Sequence, residues 1–264
     1  MVKSKKHNSC IEKAFMSLEL FHNLHTTFDQ ETPNFPPTIL YNEGWLLRLV
    51  VDWFSKSGFT NHPLSFPDDG HWFSEARLPS AFLARFRGDP LAESHTNADG
   101  VIGHFTIGST GKTDLALIPD ATHFVVIEAK LYSGLSKGVK HARYYDQAAR
   151  NVACIAEVLK RSGCKPNSFS QLAFYVLAPK DQITARTFTS HLDKQSINDK
   201  VKKRIKPYDR ELDEWFKDWF TPTLEVIDIQ SKSWESVLDV IRENDSKIGD
   251  SLKEYYSQCL NFNS

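Results

Sequence analysis

Cysteine is scarce in this chain, and no charge of one sign is in excess. Its four cysteines (Cys10, Cys154, Cys164, Cys259) include no CxxC pair, which excludes a disulfide-stapled scaffold and a zinc-ribbon signature. Lys and Arg number 32 against 33 Asp and Glu, so no whole-chain field marks a partner of nucleic acid or of an anionic surface. No run approaches the ~18 apolar residues of a membrane span, and the start "MVKSKKHNSC" carries basic residues with no apolar segment behind them. A cytoplasmic protein without a membrane partner is the expectation. Repeats and low-complexity tracts are also missing. What is present is a composition 41% hydrophobic and 12% aromatic over 264 residues, enough for a substantial core, read here as one domain spanning 1–264.

Hydrophobic spacing places the elements. Apolar positions 11, 14, 15, 18, 21 and 24 predict a helix over 9–28. Asn42 caps a second, "NEGWLLRLVVDWFSKSG", which stops near Gly58. Residues 59–98 show no clear period and read as a long irregular segment. Three strand-like runs follow, "DGVIGHFTIG", "GKTDLALIP" and "HFVVIEAKL", separated by "GSTG" and "DAT". Such short connections predict an antiparallel meander. A helix over about 140–161 comes next, and then the apolar strand "QLAFYVLAP", expected to return parallel to its neighbour. The remainder reads as charged helix around 191–220, a strand "TLEVIDI" and two final helices. The expected class is α/β, a central mixed sheet flanked by helices, with a core over about 40–180, an N-terminal helix and a C-terminal α/β extension over 181–264.

One strand poses a chemical question. In "HFVVIEAKL" an apolar run ends in Glu128 and Lys130, which share a face because strand side chains alternate. A carboxylate and an ammonium buried there cost several kcal/mol each unless paired or ligated. If the preceding turn has a three-residue loop, Asp114 falls directly opposite Glu128, whereas a loop one residue shorter or longer turns it to the other face. Two carboxylates and a lysine would then converge. Such a trio suits Mg²⁺, which takes one or two carboxylates together with waters and phosphate oxygens, and the chemistry that follows is phosphodiester hydrolysis.

At these residues the sequence resembles the PD-(D/E)xK nuclease superfamily, which includes many restriction endonucleases and DNA-repair exonucleases. The match is Asp114, thirteen intervening residues, then Glu128-Ala129-Lys130. Thr113 stands where the motif has proline, and a literal Pro119-Asp120 lies in the expected turn, so Asp114 is preferred. The resemblance implies a restriction endonuclease-like core and a Mg²⁺ (or Mn²⁺) ion on Asp114, Glu128 and the Ala129 carbonyl. It assigns the attacking water to Lys130. It also implies a glutamate on the first core helix and a glutamine on the helix after the motif, positions that Glu43 and Gln147 occupy.

Local charge supplies a partner. From Lys130 to Lys165 eight Lys or Arg face only Asp146 and Glu157, and "KVKKRIK" forms a second basic block over 200–206. Lys137, Lys140 and Arg143 are the expected nucleic-acid contacts, with DNA ahead of RNA by its prevalence in the family. "GSTGKTD" is not a phosphate loop: Thr106 stands where the first glycine belongs, and a strand follows in place of a helix. His104, on a strand beside the motif, reads as a structural histidine. The expected activity is therefore a metal-dependent nuclease. Its rival is a nuclease-fold nucleic-acid-binding or assembly protein that cuts nothing.

Overall fold

A computed structural model describes residues 34–108, 111–139 and 141–264. The helix expected over 9–28 and the contact expected at Lys140 lie outside these residues. Helix α1, Glu43–Ser57, begins where the Asn42 side chain accepts the Trp45 N–H at 2.9 Å and ends at Gly58, whose φ of 65° is the left-handed cap a glycine adopts without strain. Its buried stripe is Leu46, Leu47, Val50, Val51 and Phe54.

The central sheet has the order β1-β2-β5-β6-β7, formed by His71–Leu78, Thr96–Gly103, His123–Ala129, Gln171–Ala178 and Asp228–Ser233. β1, β2 and β5 pair antiparallel, while β5, β6 and β7 are parallel. This is the expected mixed sheet, and β7 makes the C-terminal extension part of it. All seven residues of β5 are buried. Phe124 and Val126 pack on one face against Val152 and Ile155 of helix α2, Gln147–Ser162, while Val125 and Ile127 pack on the other with Leu47 and Val50 of α1. Glu128 follows the first set and faces α2. The second face also takes Trp234, Val237 and Ile241 of α4, Trp234–Asn244, and Leu252 and Tyr256 of α5, Ser246–Asn263. Helix α3, Lys194–Ile205, lies on the α2 side through Ile197 and Val201.

Four expectations are corrected. Residues 59–98 contain β1; its alternation is hidden because Glu75 adopts a φ of 60°, which breaks the pleat. "TLEVIDI" is a helical turn, Thr221–Val226, followed by β7. The three-strand meander also divides. At Gly103 the backbone turns to a φ of 145°, and any side chain there would strike the His123 carbonyl. The chain therefore leaves the main sheet, and β3, Phe105–Ile107, pairs only with β4, Leu115–Leu117, as a separate two-stranded piece. The helix expected from 140 begins instead at Gln147, where Asp146 caps it by accepting the Ala149 N–H. Among the described residues no helix is long and apolar enough to cross a membrane.

Candidate active site

β5 therefore has β2, not β4, as its neighbour on the antiparallel side. Gly100 pairs with Ile127 and Val101 with Val126, and one step further the register sets Asp99 opposite Glu128. Asp114 is elsewhere. It sits at a single bridge to Arg77 of β1, with which it forms an ion pair. The expected pairing of Asp114 with Glu128 is thus overturned by the strand order, and Asp99 has that place. Asp99 escaped the sequence reading because "DG" looks like the start of a strand after a turn, although the strand begins at Thr96. The signal was indirect. A fully buried strand such as β5 needs partners on both edges, and "NADGVIG" is one of the runs able to supply them.

Glu128 is 1% exposed. Its Oε1 accepts Lys130 Nζ at 2.6 Å and Gln147 Nε2 at 2.5 Å, and Asn151 Nδ2 stands 3.5 Å from Oε2. Gln147 and Asn151 lie one helical turn apart on α2, so both face the strand. The family resemblance implies Gln147 but not Asn151. Asp99 Oδ2 accepts the Ala129 N–H at 2.8 Å, replacing the ladder bond that β2 would otherwise supply there. A strand residue's N–H and C=O leave along the same edge, so the Ala129 carbonyl also faces β2.

Lys130 is held by its backbone as well. Its N–H donates to the Leu177 carbonyl at 2.8 Å and its carbonyl accepts Trp234 Nε1 at 2.8 Å. The side chain is 12% exposed and reaches back along the strand face to Glu128. Gln147 is fixed by the loop after β5: its N–H donates to the Ser136 carbonyl at 2.9 Å, and its Oε1 accepts the Ser136 N–H at 3.0 Å.

The electrostatics are those of crowded carboxylates. Burial, reinforced by the neighbouring Asp99 carboxyl, holds Glu128 above the ordinary glutamate range, and Lys130 offsets this only in part. Glu75, opposite Asp99 on β1, is raised in the same direction by burial and by Asp99, with Arg48 at 3.7 Å working against the rise. Negative charge thus collects along one row of three strands, midway along β1 and β2 and at the carboxyl end of β5.

Glu43 is not in this row. It starts α1, on the opposite sheet face, and its charge bears on the Cys259 thiol of α5. The α1 residue that reaches toward the carboxylates is Arg48, through Glu75. His104 lies at the far end of the sheet, its Nε2 3.0 Å from the Asp68 carbonyl and its Nδ1 accepting the Thr122 N–H at 3.3 Å, which fits a structural histidine.

Among the described residues no group of three or more His, Cys, Asp or Glu side chains could hold a metal ion. The donors here are two carboxylates and a backbone carbonyl. That set is too poor for zinc or a calcium cage, but it fits Mg²⁺ or Mn²⁺ completed by water and substrate oxygens. No protein-family model, curated protein or solved structure matches the chain.

Proposed function

We propose that the protein is a metal-dependent nuclease with a restriction endonuclease-like core, hydrolysing phosphodiester bonds, of DNA ahead of RNA. The observation that carries this reading is the placement of Asp99 in register with the buried Glu128, with Lys130 on the same strand face. Two acids this close favour a cation or a proton between them. A structural ion pair would not require a second acid, whose charge adds repulsion to Glu128 even as its Oδ2 accepts the Ala129 N–H.

Asp99 and Glu128 would hold the Mg²⁺ or Mn²⁺ ion with the Ala129 carbonyl, and the ion's contribution would be to polarise the scissile phosphoryl group. Lys130 keeps its ammonium at the carboxylate cluster, where it orients an attacking water and offsets charge that grows on the phosphate. Gln147 and Asn151 fix the Glu128 rotamer, and Trp234 and Leu177 fix the strand end that carries Lys130. Asp114 has no part in the chemistry.

One observation favours a second reading: Oε1 of Glu128 already has Lys130 and Gln147 as donors. An internally satisfied cluster of this kind suits a nucleic-acid-binding protein that cuts nothing. Incubation with plasmid and with single-stranded DNA, in Mg²⁺ or in chelator, separates the two. The nuclease reading expects cleavage that chelator and Lys130→Ala both abolish. Strand binding without cleavage under all conditions supports the second reading.

A further inference from the structure

Between the loop that follows β5 and helix α3 lies an open surface cavity of about 490 Å³. The two basic blocks of the sequence meet there. Lys137 and Arg143 enter from the loop after β5, Lys200 from α3, and Ser190 and Ser196 add hydroxyls. Tyr144 joins the blocks: Lys203 stands over its ring at 4.1 Å, and its hydroxyl lies 3.4 Å from the Lys203 carbonyl.

The charge balance within the cavity is uneven. Asp146, its one acid, is buried and fully engaged: Oδ1 accepts the Ala149 N–H at 3.1 Å, while Oδ2 meets Lys200 Nζ at 2.8 Å and His191 Nδ1 at 2.7 Å. Lys200 is thereby compensated. Lys137 and Arg143 are exposed and make no ion pair among the described residues, so they leave an uncompensated positive wall beside two hydroxyls. That combination suits a phosphate dianion or a phosphodiester.

Its position ties it to the carboxylates. Ser136 and Gln147 are clamped by two mutual hydrogen bonds; Lys137 follows the first and Asp146 precedes the second. Gln147 then touches Glu128. The cavity wall and the Glu128 cluster are one residue apart on both chain segments.

We infer that this cavity, built by Lys137, Arg143, Ser190, Ser196 and Lys200, seats a phosphate of the nucleic-acid strand that flanks the phosphodiester presented to Asp99, Glu128 and Lys130. The inference rests on the nuclease reading for its substrate class but not on cleavage. An isolated anion site, for inorganic phosphate or a mononucleotide, shares the chemistry and is separated by the test.

Fluorescence anisotropy of a labelled single-stranded oligonucleotide, titrated with the full chain in chelator, reads the site without turnover. Lys137→Ala/Arg143→Ala removes only exposed side chains, so folding is preserved; a thermal melt checks this. Lys160→Ala/Arg161→Ala removes equal charge at the other end of α2, where both residues lie by Glu157. The first pair is expected to weaken binding tenfold or more and to lower the slope of log K against log salt by about 0.7 for each phosphate lost. The second pair is expected to change binding less than twofold. Equal weakening by both pairs, or by neither, while Mg²⁺-dependent cleavage persists, overturns the cavity and leaves the nuclease reading standing. Inorganic phosphate or a mononucleotide that binds as tightly as the oligonucleotide overturns the flanking-strand assignment. No binding of DNA or RNA oligonucleotides by the unaltered chain overturns both.

Discussion

Asp99 lies on β2 in register with Glu128 and accepts the Ala129 N–H, whereas Asp114 lies at the edge of the small β3–β4 pair and is bound to Arg77. Both are aspartates from strand regions close before "VVIEAK", and either could complete a two-carboxylate site. The difference is made by Gly103. Its left-handed turn carries the chain out of the sheet after β2, so the hairpin that would bring Asp114 to Glu128 never forms. Which residues share a site is decided by strand partnership, and a spacing motif reports it only when the connection is a simple hairpin.

The largest expected effect breaks the comparison outright. Under the proposed nuclease reading, Asp99→Asn and Glu128→Gln are each expected to lower the Mg²⁺-dependent cleavage rate by on the order of 10²- to 10³-fold, the loss typical when one electrostatic group is taken from a reacting centre. Asp114→Asn is expected to leave the rate within a few-fold, because its partner Arg77 lies outside the cluster. A single-turnover assay on plasmid DNA ranks the three.

A smaller effect comes from the α2 side. Gln147→Ala removes a hydrogen bond to a charged group, about 1.5–3 kcal/mol, and is expected to slow cleavage by about tenfold or more. Gln147→Glu should be worse than Gln147→Ala, since it sets a third acid against Glu128. The same assay checks the order.

The smallest effect concerns stability and pH. Glu128 is held above its ordinary range in the fold, so the folded state binds its proton more tightly than the unfolded chain does. Its favourable contribution is complete below the unfolded value and is lost as pH rises through the folded one. Without divalent metal the melting temperature should therefore fall across that window. Glu128→Gln should flatten the fall without removing it, because Glu75 and Glu93 are also raised by burial. Melts at stepped pH in chelator show the difference.

Much of the fold was legible because local signals agreed with tertiary ones. The Asn42 cap and Gly58 stop bound α1 as its pattern required, and the unbroken apolar runs of β5 and β6 announced strands buried on both faces. The Glu128 and Lys130 pair was visible because charge is costly in such a strand, and Gln147 only through the resemblance, which implies a glutamine on the helix after the motif. Asp99 was not visible, since the strand-like run it heads, "DGVIGHFTIG", reads as the neighbour of "GKTDLALIP" in a meander, and only the pairing of β2 with β5 gives it meaning. Glu75 was hidden by its own backbone, and Glu43 misled because a first-turn acid fits helix capping as well as a site. The convergence of Lys137 and Arg143 with Lys200 joins segments whose contact depends on how α3 packs on α2.

Mn²⁺ binding by isothermal titration calorimetry tests the pairing of Asp99 with Glu128 most directly. The unaltered chain and Asp114→Asn should bind with similar affinity, while Asp99→Asn and Glu128→Gln should each lose the binding heat. Retained binding in Asp99→Asn, together with its loss in Asp114→Asn, would contradict the site described here.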